Sequence, residues 1–149
     1  MQKNTADLCD THPEARICVL PWRSYGARRQ FHGPIRTVKV FEDNVLVRST
    51  LQTPGDGAVL VVDGGLLGEL AQTNGWAGIV VNGCVRDSVE LAGFDIGVLA
   101  LATHPRKSLR GLHGGALDCA LAFGGIDFNT GDWLYADDDG VVLLAGPVA

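Results

Sequence analysis

Arg86 and Asp87 stand side by side where one apolar run closes, and Gly64 and Gly65 follow directly on another. A guanidinium grips a carboxylate at two points or meets a developing enolate oxygen, while a carboxylate beside it can hold a divalent cation. A glycine pair at a strand-to-helix turn leaves the backbone N–H groups of Gly64, Gly65, Leu66 and Leu67 free to hold an anion. The stretch 64–87, GGLLGELAQTNGWAGIVVNGCVRD, therefore outlines a small-molecule site. A plainer reading makes Arg86 and Asp87 a helix-entry ion pair and the glycines an ordinary turn, and spacing alone leaves both open.

The elements that must position these residues alternate. AVLVVD at 58–63 and GIVVNG at 78–83 are continuous apolar runs of the kind buried on both faces of a sheet. Between them Leu66, Leu67, Leu70 and Ala71 mark one face of a helix ending near Asn74 and Gly75, so the glycine pair is expected to begin a helix. Upstream, Thr5 caps a short helix carrying Leu8, with Pro13 beyond it as a stop. RICVLP at 16–21 and RTVKVF at 36–41 read as strands. WRSYGARRQFHGP between them reads as a loop, either solvated or meeting another surface. Asp43 or Asn44 caps a helix running through Leu51 and ended by the turn at 54–57.

Downstream, 96–102 is a strand leading to Thr103, His104 and Pro105, and 106–115 is a basic, glycine-rich loop. Alternation predicts one strand over 117–123, a hairpin turn at Gly124 and Gly125 into 126–128, and a final strand pair at 133–135 and 141–144. The fold class is α/β, a mixed central sheet with short helices over part of it.

Composition narrows the functions. The 149 residues, 46% hydrophobic, suit a single domain over 1–149 with a sizeable core. Twelve basic against 17 acidic residues, net charge −5, argue against direct binding to nucleic acid or an anionic membrane. Four scattered cysteines without a C-x-x-C pair fit a reducing cytoplasm. Neither a signal peptide nor a membrane span is expected. Gly64, Gly65 and Gly68 lack the G-x-G spacing of a dinucleotide fingerprint. Asp137, Asp138, Asp139 and Gly140 fail the calcium-loop spacing, because the bidentate position falls on Gly146; a tight hairpin turn is the better reading. His32, His104 and His113 lie in predicted loops without a catalytic claim.

GWAGIVVNGCVRD, DIGVLALATHPRKS and GDWLYADDDGVVL resemble signature blocks of the class II aldolase/RraA-like family, and TADLCD and FEDNVLVR fit as well, so the resemblance spans nearly the whole chain. It implies a swivelling β/β/α domain and a homotrimer, with WRSYGARRQF near the contact. Aldolase members of the family cleave 4-hydroxy-4-methyl-2-oxoglutarate and decarboxylate oxaloacetate, releasing pyruvate through an enolate. Their D-x20-R-D motif places its R-D on Arg86 and Asp87. The resemblance thus implies Arg86 as the catalytic, substrate-binding cation and Asp87 as the ligand of a divalent metal, Mg²⁺ or Mn²⁺. Gly64, Gly65, Leu66 and Leu67 would hold the carboxylate of a small 2-oxo acid substrate. The family also includes regulators of ribonuclease activity, which implies as the alternative a non-catalytic protein that binds ribonuclease E. Two departures stand out: the chain reads G-x20-R-D, with Gly65 where aldolases have aspartate, and the 58–63 strand joins LLGELA without the segment the family places between them.

Overall fold

The computed structural model describes residues 4–41, 44–67, 74–106 and 115–148. In chain order the elements are α1 (Thr5–Thr11), β1 (Arg16–Cys18), β2 (Arg23–Ser24), β3 (Phe31–Val40), α2 (Val45–Leu51), β4 (Val59–Leu67) and β5 (Gly78–Val85). There follow α3 (Ser88–Leu91), β6 (Gly97–Ala100), β7 (Ala102–Thr103), β8 (Gly115–Leu117), β9 (Leu121–Phe123), β10 (Ile126–Phe128), β11 (Trp133–Asp137) and β12 (Gly140–Leu144). The apolar runs 58–63 and 78–83 form the middle of the main sheet, ordered β1-β12-β11-β3-β4-β5-β6-β2, with β7 beside β5 and β8 beside β3. β3, β4, β5 and β6 are mutually parallel, while β1, β11 and β12 pair antiparallel.

Because successive side chains of a strand point to opposite faces, the parallel strands divide their apolar residues between two cores. Val38, Leu60, Val62, Ile79, Val81 and Val98 face Val47 and Leu51 of α2 and Leu91 of α3. Ile35, Val59, Val61, Val80 and Leu99 face the other way, onto Leu134 and Ala136 of β11, Val141 and Leu143 of β12, and Leu121 and Phe128 of the β9–β10 hairpin. The result is a helix layer, the parallel strands, and a second β layer, the β/β/α order expected. Leu8 of α1 packs outside this, on Tyr135 and Leu144. Among the described residues no helix is long and apolar enough to cross a membrane.

Several elements depart from the sequence reading. Asn4, not Thr5, caps α1, its side chain accepting from the Asp7 N–H; Thr5 instead donates its N–H and hydroxyl to Asp137, each at 2.7 Å. β3 begins at Phe31, through the Gly33 and Pro34 that signalled a break. Gly33 is needed there because the Gly57 carbonyl occupies the space of a Cβ. His32 therefore lies in a strand, stacked on Tyr135 at 5.6 Å between ring centroids. The single strand expected over 117–123 is broken at Asp118, whose φ of 59° turns the chain between β8 and β9. The glycine hairpin is as expected, Phe123 pairing with Ile126 across Gly124 and Gly125, both at positive φ. The acidic turn is likewise a hairpin, with Asp137 opposite Gly140.

Candidate functional site

Ligands of parallel sheets collect at the carboxyl ends of the strands, and Arg86 and Asp87 sit at that edge, directly after Val85 closes β5. β4 reaches the same place, Leu66 pairing with Cys84 and Leu67 with Val85. The residues at 64–67 and at 86–87 are thus neighbours across two adjacent strands.

Their backbone form differs from expectation. Asp63 pairs with Asn82 and Leu66 with Cys84, so Gly64 and Gly65 together oppose Gly83 in a β-bulge. Gly64 has a φ of +88°, and a Cβ there would run into the Val40 carbonyl oxygen. The helix expected from Leu66 is therefore corrected to strand through Leu67. β5 offers both leucines a sheet partner, and the glycines serve a bulge where a helix-starting turn was expected. Leu70 and Ala71, the rest of that expected helix, lie outside the described residues. Among the described residues, Gly64, Gly65, Leu66 and Leu67 are strand and present no helix N-terminus to an anion. What is left is a strand whose pairing with β3 stops at Lys39 and Asp63, so that beyond Asp63 its registered partner is β5 alone.

Arg86 is half-buried, and its Nε is fully buried without a hydrogen-bond partner among the described residues. An unpaired buried donor costs about 1–3 kcal/mol, a cost that a bound carboxylate removes. Asp87 is exposed, in the left-handed region at φ 55° and ψ 44°, and precedes the four-residue α3 without capping it. Aspartate adopts that backbone more readily than most side chains, and Asp56 and Asp118 adopt it as well. Arg86 and Asp87 do not pair with each other among the described ion pairs, which removes the helix-entry salt bridge.

For a metal, no three His, Cys, Asp or Glu side chains come together among the described residues. Asp87 offers one open carboxylate, a donor set that fits a hard cation keeping most of its waters, as Mg²⁺ does, and not a closed protein cage.

Three features of this edge escaped the sequence reading. Asn44, expected as a helix cap, makes no side-chain cap hydrogen bond; its Oδ1 is buried without a partner among the described residues, just past the end of β3. The His104 N–H donates to the Val85 carbonyl at 2.9 Å, bringing that loop to the same edge. Lys39, Asp63 and Asn82 form a polar row across β3, β4 and β5. His113 lies outside the described residues. A cavity of about 460 Å³, lined by Trp22, Arg23, Arg29, Leu99 and Asp139 among others, shares no lining residue with the Arg86 edge. Of the loop arginines, Arg28 pairs with Asp95 and Arg29 with Asp138.

The family model described as RraA-like, Aldolase/RraA, matches residues 5–143. A protein of Alkalilimnicola ehrlichii, provisionally named a 4-hydroxy-4-methyl-2-oxoglutarate aldolase, is 52% identical over 155 positions covering 96% of this chain and 95% of its own. Since 155 positions exceed the 149 residues of this chain, the relative carries residues without a counterpart here. Among solved structures, one titled S-adenosylmethionine: 2-dimethylmenaquinone methyltransferase, from Geobacillus kaustophilus, superposes with a TM-score of 0.92 at 46% identity, covering 98% of this chain and 97% of that one. The RNA-processing inhibitor RraA of Thermus thermophilis superposes with a TM-score of 0.91 at 42% identity, covering 100% of this chain and 96% of that one.

Proposed function

This chain belongs to the Aldolase/RraA family, and from that premise we propose that it is a divalent-metal-dependent lyase releasing pyruvate from small 2-oxo acids, of the 4-hydroxy-4-methyl-2-oxoglutarate aldolase and oxaloacetate decarboxylase kind. The observation that supports this most directly is the Nε of Arg86 at the carboxyl edge, buried and without a partner among the described residues. In either reaction the bond beyond C3 of the 2-oxo acid breaks and its electron pair moves toward the 2-oxo oxygen, leaving a pyruvate enolate that is then protonated. Arg86 binds the carboxylate next to the 2-oxo group and stabilises the charge growing beside it. Backbone groups of β4 beyond the bulge border the same place. Asp87 would hold Mg²⁺ or Mn²⁺, which would supply Lewis-acid stabilisation of that charge.

The test is pyruvate release from oxaloacetate with Mg²⁺ present. Arg86→Ala is expected to lower kcat/KM at least about tenfold, the equivalent of about 1.4 kcal/mol in the transition state. Activity unchanged in Asp87→Ala would sink the metal assignment.

A second reading, a non-catalytic regulator that docks on ribonuclease E, draws on Gly65 in place of the aldolase aspartate and on the likeness to an RNA-processing inhibitor. The net charge of −5 suits a basic partner surface. Pull-down with a host's ribonuclease E discriminates: absence of binding at micromolar protein counts against it.

A further inference from the structure

β7 flanks the last residues of β5. Ala102 pairs with Cys84 and Thr103 with Val85 in parallel register, and the His104 N–H continues the ladder onto the Val85 carbonyl at 2.9 Å. His104 and Arg86 are therefore the next residues on the two chains, one inter-strand spacing of about 4.8 Å apart. Successive side chains alternate between faces, so both leave the face opposite Thr103 and Val85. Val85 packs into the helix-side core, which puts Arg86 and His104 together on the other face of the carboxyl edge.

The imidazole of His104 is held in one form. Its Nδ1 accepts the Arg106 N–H at 3.2 Å. A ring nitrogen that accepts carries no proton, so the neutral ring bears its proton on Nε2. The residue is exposed, and its Nε2–H has no partner among the described residues. Two donors without partners thus share this face, the second being the buried Nε of Arg86. Fixed donors side by side suit an oxygen that gains charge during a reaction.

We propose that His104 is a catalytic residue of the Arg86 site, its Nε2–H hydrogen-bonding the 2-oxo oxygen and tightening as that oxygen becomes an enolate. The assignment rests on the reading of Arg86 as the 2-oxo acid site. With oxaloacetate, the bond from C3 to the departing carboxylate breaks, CO2 leaves, and the electron pair passes through C3 and C2 to the 2-oxo oxygen. The proton stays on Nε2 throughout, and C3 takes its proton from water as the pair returns. Because the donor acts on charge that exists only once the bond is breaking, it raises kcat more than it tightens substrate binding.

Two variants separate the ring nitrogens. In His104→Asn the side-chain oxygen keeps an acceptor for the Arg106 N–H, and nothing replaces Nε2–H. In His104→Gln an amide N–H reaches where Nε2–H stood. Pyruvate release from oxaloacetate with Mg²⁺ is measured beside calorimetric binding of pyruvate and of oxalate, a planar dianion shaped like the pyruvate enolate. His104→Asn is expected to lower kcat at least about tenfold with KM little changed, and to weaken oxalate by a similar factor while pyruvate binding holds. His104→Gln should recover most of both. A kcat within twofold of the wild-type protein in His104→Asn, a change confined to KM, or equal loss in the two variants overturns the role of Nε2–H and leaves the Arg86 reading intact. Absence of pyruvate release by the wild-type protein overturns both. Circular dichroism of each variant separates lost chemistry from lost fold.

Discussion

Residue by residue, what could be foreseen is what is local. Arg86 and Asp87 were visible because two charged residues end a run of apolar ones, and a strand that stops at its charges presents them at an edge. Lys39, Asp63 and Asn82 were not, since nothing in their local sequence ties three residues that meet only through strand register. Asn44 was read as a cap because asparagine favours that position, yet it makes no cap bond. Cys18 shows how far environment alone moves chemistry. Burial pushes its thiol from 9.0 up to about 11, with the Trp22 indole pulling the other way. The thiol stays protonated in both states below about pH 9, and its contribution to stability is complete there. Above that the unfolded chain ionises first, so the contribution is lost as pH rises through about 11. Cys18 should accordingly be the last of the four cysteines to react with iodoacetamide at pH 8.5, as read by mass spectrometry. Labelling of Cys18 ahead of the half-buried Cys9, Cys84 and Cys119 would contradict that order.

At the scale of elements, the strands with unbroken apolar runs were legible and the connections were not. Leu66 and Leu67 satisfy a helical period and a strand equally well; the deciding fact is that β5 lies alongside to pair with them. β8 and β9 looked like one strand because 117–123 alternates, but Asp118 accepts from Arg36 and Thr130, and its N–H reaches Thr37, so the chain turns there. Besides the packing of Leu8 on Tyr135 and Leu144, α1 is tied to the sheet through one carboxylate, Asp137. Burial raises the pKa of Asp137, but hydrogen bonds from the Thr5 hydroxyl and N–H, together with the Asp139 and Gly140 N–H groups, outweigh it and leave the group below the usual value of 3.8. A depressed carboxylate lends stability that is present above its unfolded pKa and is lost as pH falls through the folded one. Thr5→Val should cost about 1–2 kcal/mol in urea unfolding at pH 7. The difference from the wild-type protein should shrink as the pH is taken below 3.8; a difference that does not depend on pH would mean the hydroxyl acts by packing.

The whole molecule joins two β arrangements, one parallel with the candidate site at its edge, one antiparallel and covering. Its sheet ends in the short strands β1 and β2, and Ile17 in β1 and Val19 just after it are 49% and 76% exposed. That apolar exposure and the family resemblance lead us to expect a homotrimer of 15.8 kDa chains, and a monomeric mass by light scattering would refute it. β3 is the strand on which both arrangements depend. Its first half, residues 31–34, pairs with β11, its second half pairs with β4, and its outer side beyond Thr37 pairs with β8. No partial opening of either half can free its central amides while the other half holds. Solvent deuterium should therefore enter the Arg36 and Val38 amides, which alternation turns toward β4, only through complete unfolding. The free energy read from their exchange rates should equal that from denaturant titration, and the sheet's two arrangements should melt as one cooperative unit.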